Sequence, residues 1–376
     1  MVDLSELSAR NRFRPRERGR VIPQSITMYL GSSAFTGWED ITISKSIQSL
    51  AHSFSFTIPQ KYRDPSQEVP VPLGTLVTFY VNDERVLTGR IEKTDVTLGP
   101  TDRSVKVSGR SLPADLVDCT VEGPKEYKKI RLDQLGRELS RPFGVRVFVS
   151  VVPGIVPKIG IRSGDTVFQT LDKAARMQGF FWISTRGGNI RLTRAGRLPS
   201  DSSIVEGVNL KQAKMSLDNT ERFRSYTVLA QQQGEQNYPG VISSRAKGTA
   251  ADGGVDRYRP LTIQAEGGAD TSKAIKRAQW EASSRLAKAV KITVTMQGWV
   301  QETGVIWGLN QLVPLRSPSL GIDGKFLATT VEQTHGSDGS LTTMTLTHPD
   351  AFLTKPVVEK SRGSGLGGFW ERIVGQ

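Results

Sequence analysis

Three histidines, His52, His335 and His348, and a single cysteine, Cys119, are the side chains whose types could carry nucleophilic, acid–base or metal chemistry. Their spacing argues against it. The histidines lie in separate segments, each read as structural or exposed, and neither Cys-x-x-Cys nor His-Glu-x-x-His occurs. A Cys–His pair around Cys119 would need the fold to bring a distant histidine close, and nothing in the sequence points to one. Neighbouring carboxylates such as Glu39–Asp40 read as loop residues, with no sign of the raised pKa a glycosidase acid needs. "GSGLGG" (363–368) formally satisfies G-x-G-x-x-G, but no strand of a βαβ unit precedes it, so it reads as a linker. The expectation is therefore no catalytic residue, no cofactor and no metal: not an enzyme.

Recognition chemistry is what remains. In "RYRPLTIQAEGGADTSKAIKRAQWEASSRLAK" (257–288), Arg257 and Arg259 flank Tyr258. An extended backbone would point both arginines to one side and the tyrosine to the other. They could form a local salt bridge or grip a carboxylate of another chain with arginine's planar fork. Further on, Trp280 lies opposite the Ala278 and Ala282 stripe of a helix, so it is expected to pack against another domain or chain. Near the end, Phe369, Trp370, Ile373 and Val374 would share one helical face behind a Gly/Ser leash. Such a segment either docks back on its own chain or anchors in a partner's groove. Arg10, Arg12, Arg14, Arg16, Arg18 and Arg20 form an extended basic arm, solvated or held against an acidic partner or DNA.

The elements that must position these groups follow from composition and periodicity. The chain has 376 residues, 37% of them hydrophobic and 23% charged, a globular balance with room for two or more cores. The net charge of +13 invites a nucleic-acid reading, but apart from the arm the charge is scattered and aromatics are only 7%. The lone cysteine fits folding in a reducing cytoplasm, and no window reaches the ~18 apolar residues of a membrane anchor. Strand-like alternation fills 22–112, with turns at "NDE" and "GPTD". Leu132, Leu135 and Leu139 mark one helix, Val167, Leu171, Ala174 and Ala175 a second, and "TRGGN" a hairpin. The long helix near the middle is expected to bury Ile275, Ala278, Ala282, Leu286 and Ala289, with Asp270 as its cap.

An internal repeat is visible. "VLTGRIEKTDVTLGPTDRSVKVSGR" (86–110) parallels "FLATTVEQTHGSDGSLTTMTLTH" (326–348), matching Glu92 to Glu332 and Thr94 to Thr334. Upstream, "GTLVTF" parallels "NQLVPL", and "SFSFTI" (53–58) parallels "RSYTVL" (224–229). The expected organisation is a basic arm (1–21), a first β-barrel-like module (22–118) and an α/β unit (119–200). A second module (201–245 and 301–353), interrupted by an inserted α/β unit (246–300), and a tail (354–376) complete it. The fold class is α+β, β-rich.

The block "GTAADGGVDRYRPLTIQAEGGADTSKAIKRAQWEASSRLAKAVKITVTMQGWVQETGVIWGLNQLV" (248–313), with "FTGWEDITISKSIQSLAHSFSFTIP" (35–59) and "SGRSLPADLVDC" (108–119), resembles the baseplate hub proteins of Mu-like contractile-tailed phages, the tail protein P family. The resemblance spans about residues 28–353. It implies a hub-type fold in which three chains form a ring, two β modules from each lining a pseudo-sixfold torus. It implies that the ring joins the tail tube to a central spike. The partners implied are further copies of the chain, the spike, the tube or other baseplate proteins and the tape measure protein, with DNA passing through. The location implied is the virion tail, assembled in the host cytoplasm. Two alternatives stand beside it: a nucleic-acid-binding β-barrel protein, and a hub carrying a cell-wall hydrolase activity.

Overall fold

The computed structural model describes residues 24–59, 71–98, 103–123, 126–176, 178–196, 198–231, 245–264 and 271–352. Strands make up 51% of it and helices 17%, so the β-rich α+β class holds. The first module comprises β1 (Ile26–Leu30), β2 (Ser33–Phe35), β3 (Asp40–Ser46), β4 (Ser53–Pro59), β5 (Leu76–Val81), β6 (Glu84–Leu98) and β7 (Arg103–Ser111). Its strands alternate cleanly: Ile41 and Ile43 on β3, and Phe54, Phe56 and Ile58 on β4, point into one core with Met28, Phe79 and Val107. Asn82 and Asp83 both take positive φ, the two-residue turn that matches the twist of β5 and β6.

Helix α1 (Ala114–Asp118) leads into the α/β unit: β8 (Glu126–Arg131), α2 (Leu132–Ser140), β9 (Val147–Val149), β10 (Ile155–Gly160), α3 (Val167–Arg176), β11 (Phe181–Ser184) and β12 (Ile190–Thr193). Leu132, Leu135 and Leu139 of α2 and Val167, Leu171, Ala174 and Ala175 of α3 are buried together, as their spacing predicts. They close around Trp182, whose indole N–H donates to the Leu171 carbonyl at 3.1 Å.

The second module contains β13 (Leu198–Pro199), β14 (Ile204–Val205) and β15 (Leu210–Leu217). An excursion follows through β16 (Ser225–Gln231), β17 (Arg245–Ala251), β18 (Pro260–Gln264) and α4 (Thr271–Lys288). The chain then returns as β19 (Val290–Gln297), β20 (Gln311–Ser317), β21 (Ile322–Gly336) and β22 (Gly339–Thr347). The excursion is a separate three-stranded sheet, β17-β16-β18, backed by α4. A Cβ at Gly248 would sit 2.1 Å from the Ala274 backbone, so glycine is what lets the helix lie on the sheet.

Two expectations need correction here. "RSYTVL" is not the counterpart of "SFSFTI": it forms β16 in the separate sheet, while the strand standing where β4 stands is β19. The excursion accordingly takes in residues 225–231 and releases 290–297 to the module. Strand order makes this plain. One sheet runs β15-β19-β22-β21-β3-β4-β7-β6-β5-β1-β2, with β20 also on β21. Hence β3, β4, β7, β6 and β5 repeat the order of β15, β19, β22, β21 and β20.

The finer register also shifts. The Gly74 N–H donates to the Ile91 carbonyl at 2.8 Å, and the Asn310 N–H donates to the Ala328 carbonyl at 2.9 Å. Both donors have positive φ, and each acceptor is followed by a β-bulge. Ile91 therefore corresponds to Ala328 and Lys93 to Thr330. Glu92 does not correspond to Glu332.

Candidate functional site

The place where the two modules meet is built from β21 and β3. Strand β21 is long enough to serve two partners on one edge: Ile322–Leu327 pair with β20, and Thr330–His335 pair antiparallel with Ser46–Ile41 of β3. Trp299 bridges the modules, its indole N–H donating to the Thr334 carbonyl at 2.8 Å. Its backbone N–H donates to Gln24 Oε1 at 2.7 Å. His335 stacks edge-to-face against Trp38 at 5.2 Å, and its Nδ1 lies 2.7 Å from Ser340 Oγ. Burial pushes the His335 pKa down.

Lys45 is the anomaly of this joint. It occupies the inward position after Ile41 and Ile43, is buried, and donates from Nζ to Gln333 Oε1 at 2.8 Å. Burial holds its pKa down to about 7, the Arg186 charge pushes the same way and Glu84 opposes them. His52 beside it is brought down to about 3 by burial and then by the Lys45 charge, against a hydrogen bond to the Ser46 backbone. Arg186, from the β11–β12 hairpin, pairs with Glu84 and donates to the Ile306 carbonyl at 3.3 Å. Three parts of the chain are thus tied together at one point.

Two strand edges whose counterparts in the other module are paired have no strand partner on that side among the described residues. Beyond Ile91, β6 pairs only with β7, although the equivalent stretch of β21 carries β3 on its other side. Strand β15 pairs only with β19, apart from one isolated bridge at Leu210, although the equivalent β3 carries β21. Both edges expose apolar side chains: Val96 is 49% and Leu217 45% exposed.

The residues singled out from the sequence do not converge. Arg259 is used within the chain, its guanidinium 4.9 Å from the centre of the Phe223 ring and donating to the Thr220 carbonyl at 2.7 Å. Arg257 is exposed, and Tyr258 is 87% exposed. Trp280 is half-buried with the Arg277 guanidinium 4.6 Å from the centre of its ring. Of the expected stripe, Ala278 and Ala289 are buried and Ala282 packs against the same core, while Ile275 is 38% exposed and Ala274 and Ala287 are buried in addition. Asp270, Phe369, Trp370 and the arginine arm lie outside the described residues. Cys119 is exposed at the end of α1, and no cluster of three metal-ligating side chains occurs among the described residues.

Comparison with known proteins decides what such an arrangement belongs to. Sequence models of the Mu phage baseplate assembly protein GpP match at both ends, the GpP-like N-terminal domain over 25–111 and the GpP fourth domain over 270–355. The second domain of gp44-like baseplate hub proteins matches 113–194 between them. The baseplate hub protein gp44 of Escherichia phage Mu is 29% identical over 358 residues, 92% of either chain. The chain belongs to the Mu-like phage baseplate hub family. A 43 kDa tail protein of prophage MuSo2 from Shewanella oneidensis has the same fold as this hub. It matches with a TM-score of 0.77 and 28% identity, over 88% of the hub and 99% of that chain. A tail protein from Neisseria meningitidis MC58 shares the fold at a TM-score of 0.74 and 22% identity, over 89% and 98% of the two chains. The hub is a structural protein of the phage tail baseplate, a component of the virion. Neither the nucleic-acid-binding reading nor a hydrolase-bearing hub gains support from these relatives.

Proposed function

We propose that the hub works as a non-enzymatic homotrimer, a ring closed by repeating between chains the strand joint that β21 and β3 make within one chain. The observation that carries this reading is the complementarity of the two open edges. Laying β6 of one copy against β15 of the next, in the register of β21 against β3, sets Lys93 opposite Asp218, Thr94 opposite Leu217 and Val96 opposite Met215. A cation meets an anion, and the exposed Val96 and Leu217 are covered. Open strand edges are a hazard unless paired, and a head-to-tail joint that repeats around an axis pairs these two in every copy. Three chains would supply six joints of one kind. Such a ring, set between a tail tube above and a spike below, is what the family resemblance implies. The Arg-rich arm, the exposed Tyr258 and the Phe369–Trp370 end are then surfaces for baseplate partners.

The test is the mass of the full chain by light scattering, with a crosslink to fix the geometry. In a Cys119→Ser background, Val96→Cys and Met215→Cys together should be joined between chains by a short bismaleimide. Each single variant should give no dimer band. A stable monomer at micromolar concentration would sink the ring, and a trimer without the crosslink would sink only the proposed joint.

A further inference from the structure

A cavity of about 500 Å³ opens beside Lys45, where both modules and the β11–β12 hairpin converge. That size suits a ligand of a few residues or one small organic molecule. Its charged lining is of one sign: Lys45, Arg186 and Arg191 face it, and no aspartate or glutamate does. Arg186 is already paired with Glu84, so Lys45 and Arg191 are the cations the cavity offers. Lys45 has three N–H donors, of which Gln333 takes one. His52 also lines the cavity, is 95% buried by its 5% exposure, and its Nε2 has no hydrogen-bond partner. The single proton of the neutral ring is assigned to Nδ1. In the neutral ring Nε2 is then an acceptor, and a ligand that satisfies it must bring a donor. The rest of the wall mixes uncharged polar groups, Ser184, Thr185, Asn189 and Gln311, with apolar ones, Ile183 and Leu309 among them and Phe148 and Leu198 at the exposed rim.

An anion that also carries a hydrogen-bond donor and an apolar neighbour describes an acidic residue within a peptide. We propose that this cavity binds an acidic peptide segment of a neighbouring protein. Its side-chain carboxylate is held by Lys45 and Arg191, its backbone N–H donates to His52 Nε2, and an adjoining apolar residue packs on Phe148 and Leu198. A carboxylate there also explains why a lysine is kept at an inward strand position: a buried ammonium is expensive alone and repaid by a hydrogen-bonded anion. The site lies within one chain, so this inference does not depend on the ring.

Titration of the full-length protein with acetyl-Leu-Asp-Leu-amide, followed by NMR chemical shifts, tests it. The shifts should centre on His52, Ile183 and the 185–189 hairpin. The Asn analogue should bind at least about tenfold more weakly, the usual worth of a charge-assisted contact. Lys45→Met should remove that preference while leaving the melt cooperative. Should Lys45→Met fail to fold, Arg191→Gln at the half-exposed rim should still weaken the Asp peptide, by about threefold. Equal binding of the Asp and Asn peptides, no binding at roughly 10 mM, or an unchanged preference in whichever variant folds would each overturn the proposal. Phenylacetate matching the peptide in affinity would also overturn it, because the site would then serve a free acid.

Discussion

Lys45 sets the most direct residue-scale test of the structure. Its folded pKa of about 7 lies below the 10.5 of an exposed lysine, so between those values the unfolded chain holds more protons than the folded one. Stability therefore rises with pH across that window, and the burial penalty is present in full below about pH 7. The span corresponds to a penalty on the order of 5 kcal/mol. Lys45→Met removes it, at the pH-independent expense of the Gln333 Oε1 partner, roughly 1–3 kcal/mol. The stability of the variant relative to the native protein should therefore be greatest near pH 6–7 and decline steadily towards pH 10. Denaturant melts at three or four pH values read this out, and a difference flat with pH would show that the ammonium is not buried. The sequence held a signal for this residue that ordinary reading passes over. In "DITISKS" the period of two puts Lys45 on the same face as Ile41 and Ile43, yet a strand-end lysine is usually taken for a solvated one. His52, read only as structural or exposed, gave no such signal, because its burial depends on Ser111, Lys45 and the distant hairpin.

At the scale of elements, the open half of β6 is where sequence change should separate folding from assembly. Val96 is half exposed in the single chain, so Val96→Asp should cost the monomer under about 0.5 kcal/mol. Placed at a strand joint opposite Met215, the same carboxylate would lose its water and meet no donor, so the ring should dissociate. Light scattering and a thermal melt on one sample check both halves; a variant that stays trimeric would move the joint elsewhere. How much of these elements could be read in advance varied with how strongly each was patterned. Helices α2 and α3 were legible because aliphatic residues at helical spacing, Leu132, Leu135 and Leu139 in one and Val167, Leu171, Ala174 and Ala175 in the other, leave one solution for the buried face. In α4 the inward residues are mainly alanines, which mark a face less sharply than leucines because they bury little area, and Gly248 lets that face approach the sheet closely. The repeat was legible as strand–turn–strand, but its register was not. A bulge after Ile91 and another after Ala328 fix the alignment through backbone geometry, to which the identities Glu92 and Glu332 are blind. "SFSFTI" likewise resembles "RSYTVL" more than its true counterpart, since alternation marks a strand and not its neighbours.

For the whole molecule, the strand order says that the hub is two copies of one β unit, each elaborated differently. Between β3 and β4 the chain turns within residues 47–52, whereas between β15 and β19 it makes the excursion through β16, β17, β18 and α4. The two ends of that excursion are adjacent: Leu217 pairs with Val290, and the Asp218 N–H donates to the Ala289 carbonyl at 2.8 Å. The excursion has a core of its own around Tyr226, Val228, Ala274 and Ala278. Its ties back to the module are local: α4 packs on residues 349–352, Ser284 Oγ donates to the Ala351 carbonyl at 3.3 Å, and the Thr347 hydroxyl donates to the Ala287 carbonyl at 3.0 Å. Residues 219–288 should therefore be removable. Replacing them with Asn-Gly, the two-residue turn that suits an antiparallel hairpin, would make β15 and β19 a copy of the β3–β4 arrangement. The shortened chain should melt cooperatively and retain the trimer, because both open edges and the β21–β3 joint are untouched. It should lose whatever baseplate contact depends on Tyr258 or Trp280, since both leave with the excised unit. Circular dichroism and light scattering would establish the first outcome and reconstitution of tails the second. If the shortened chain is a folded monomer, the excursion rather than the strand edges holds the chains together, and the ring would have to be rebuilt around α4.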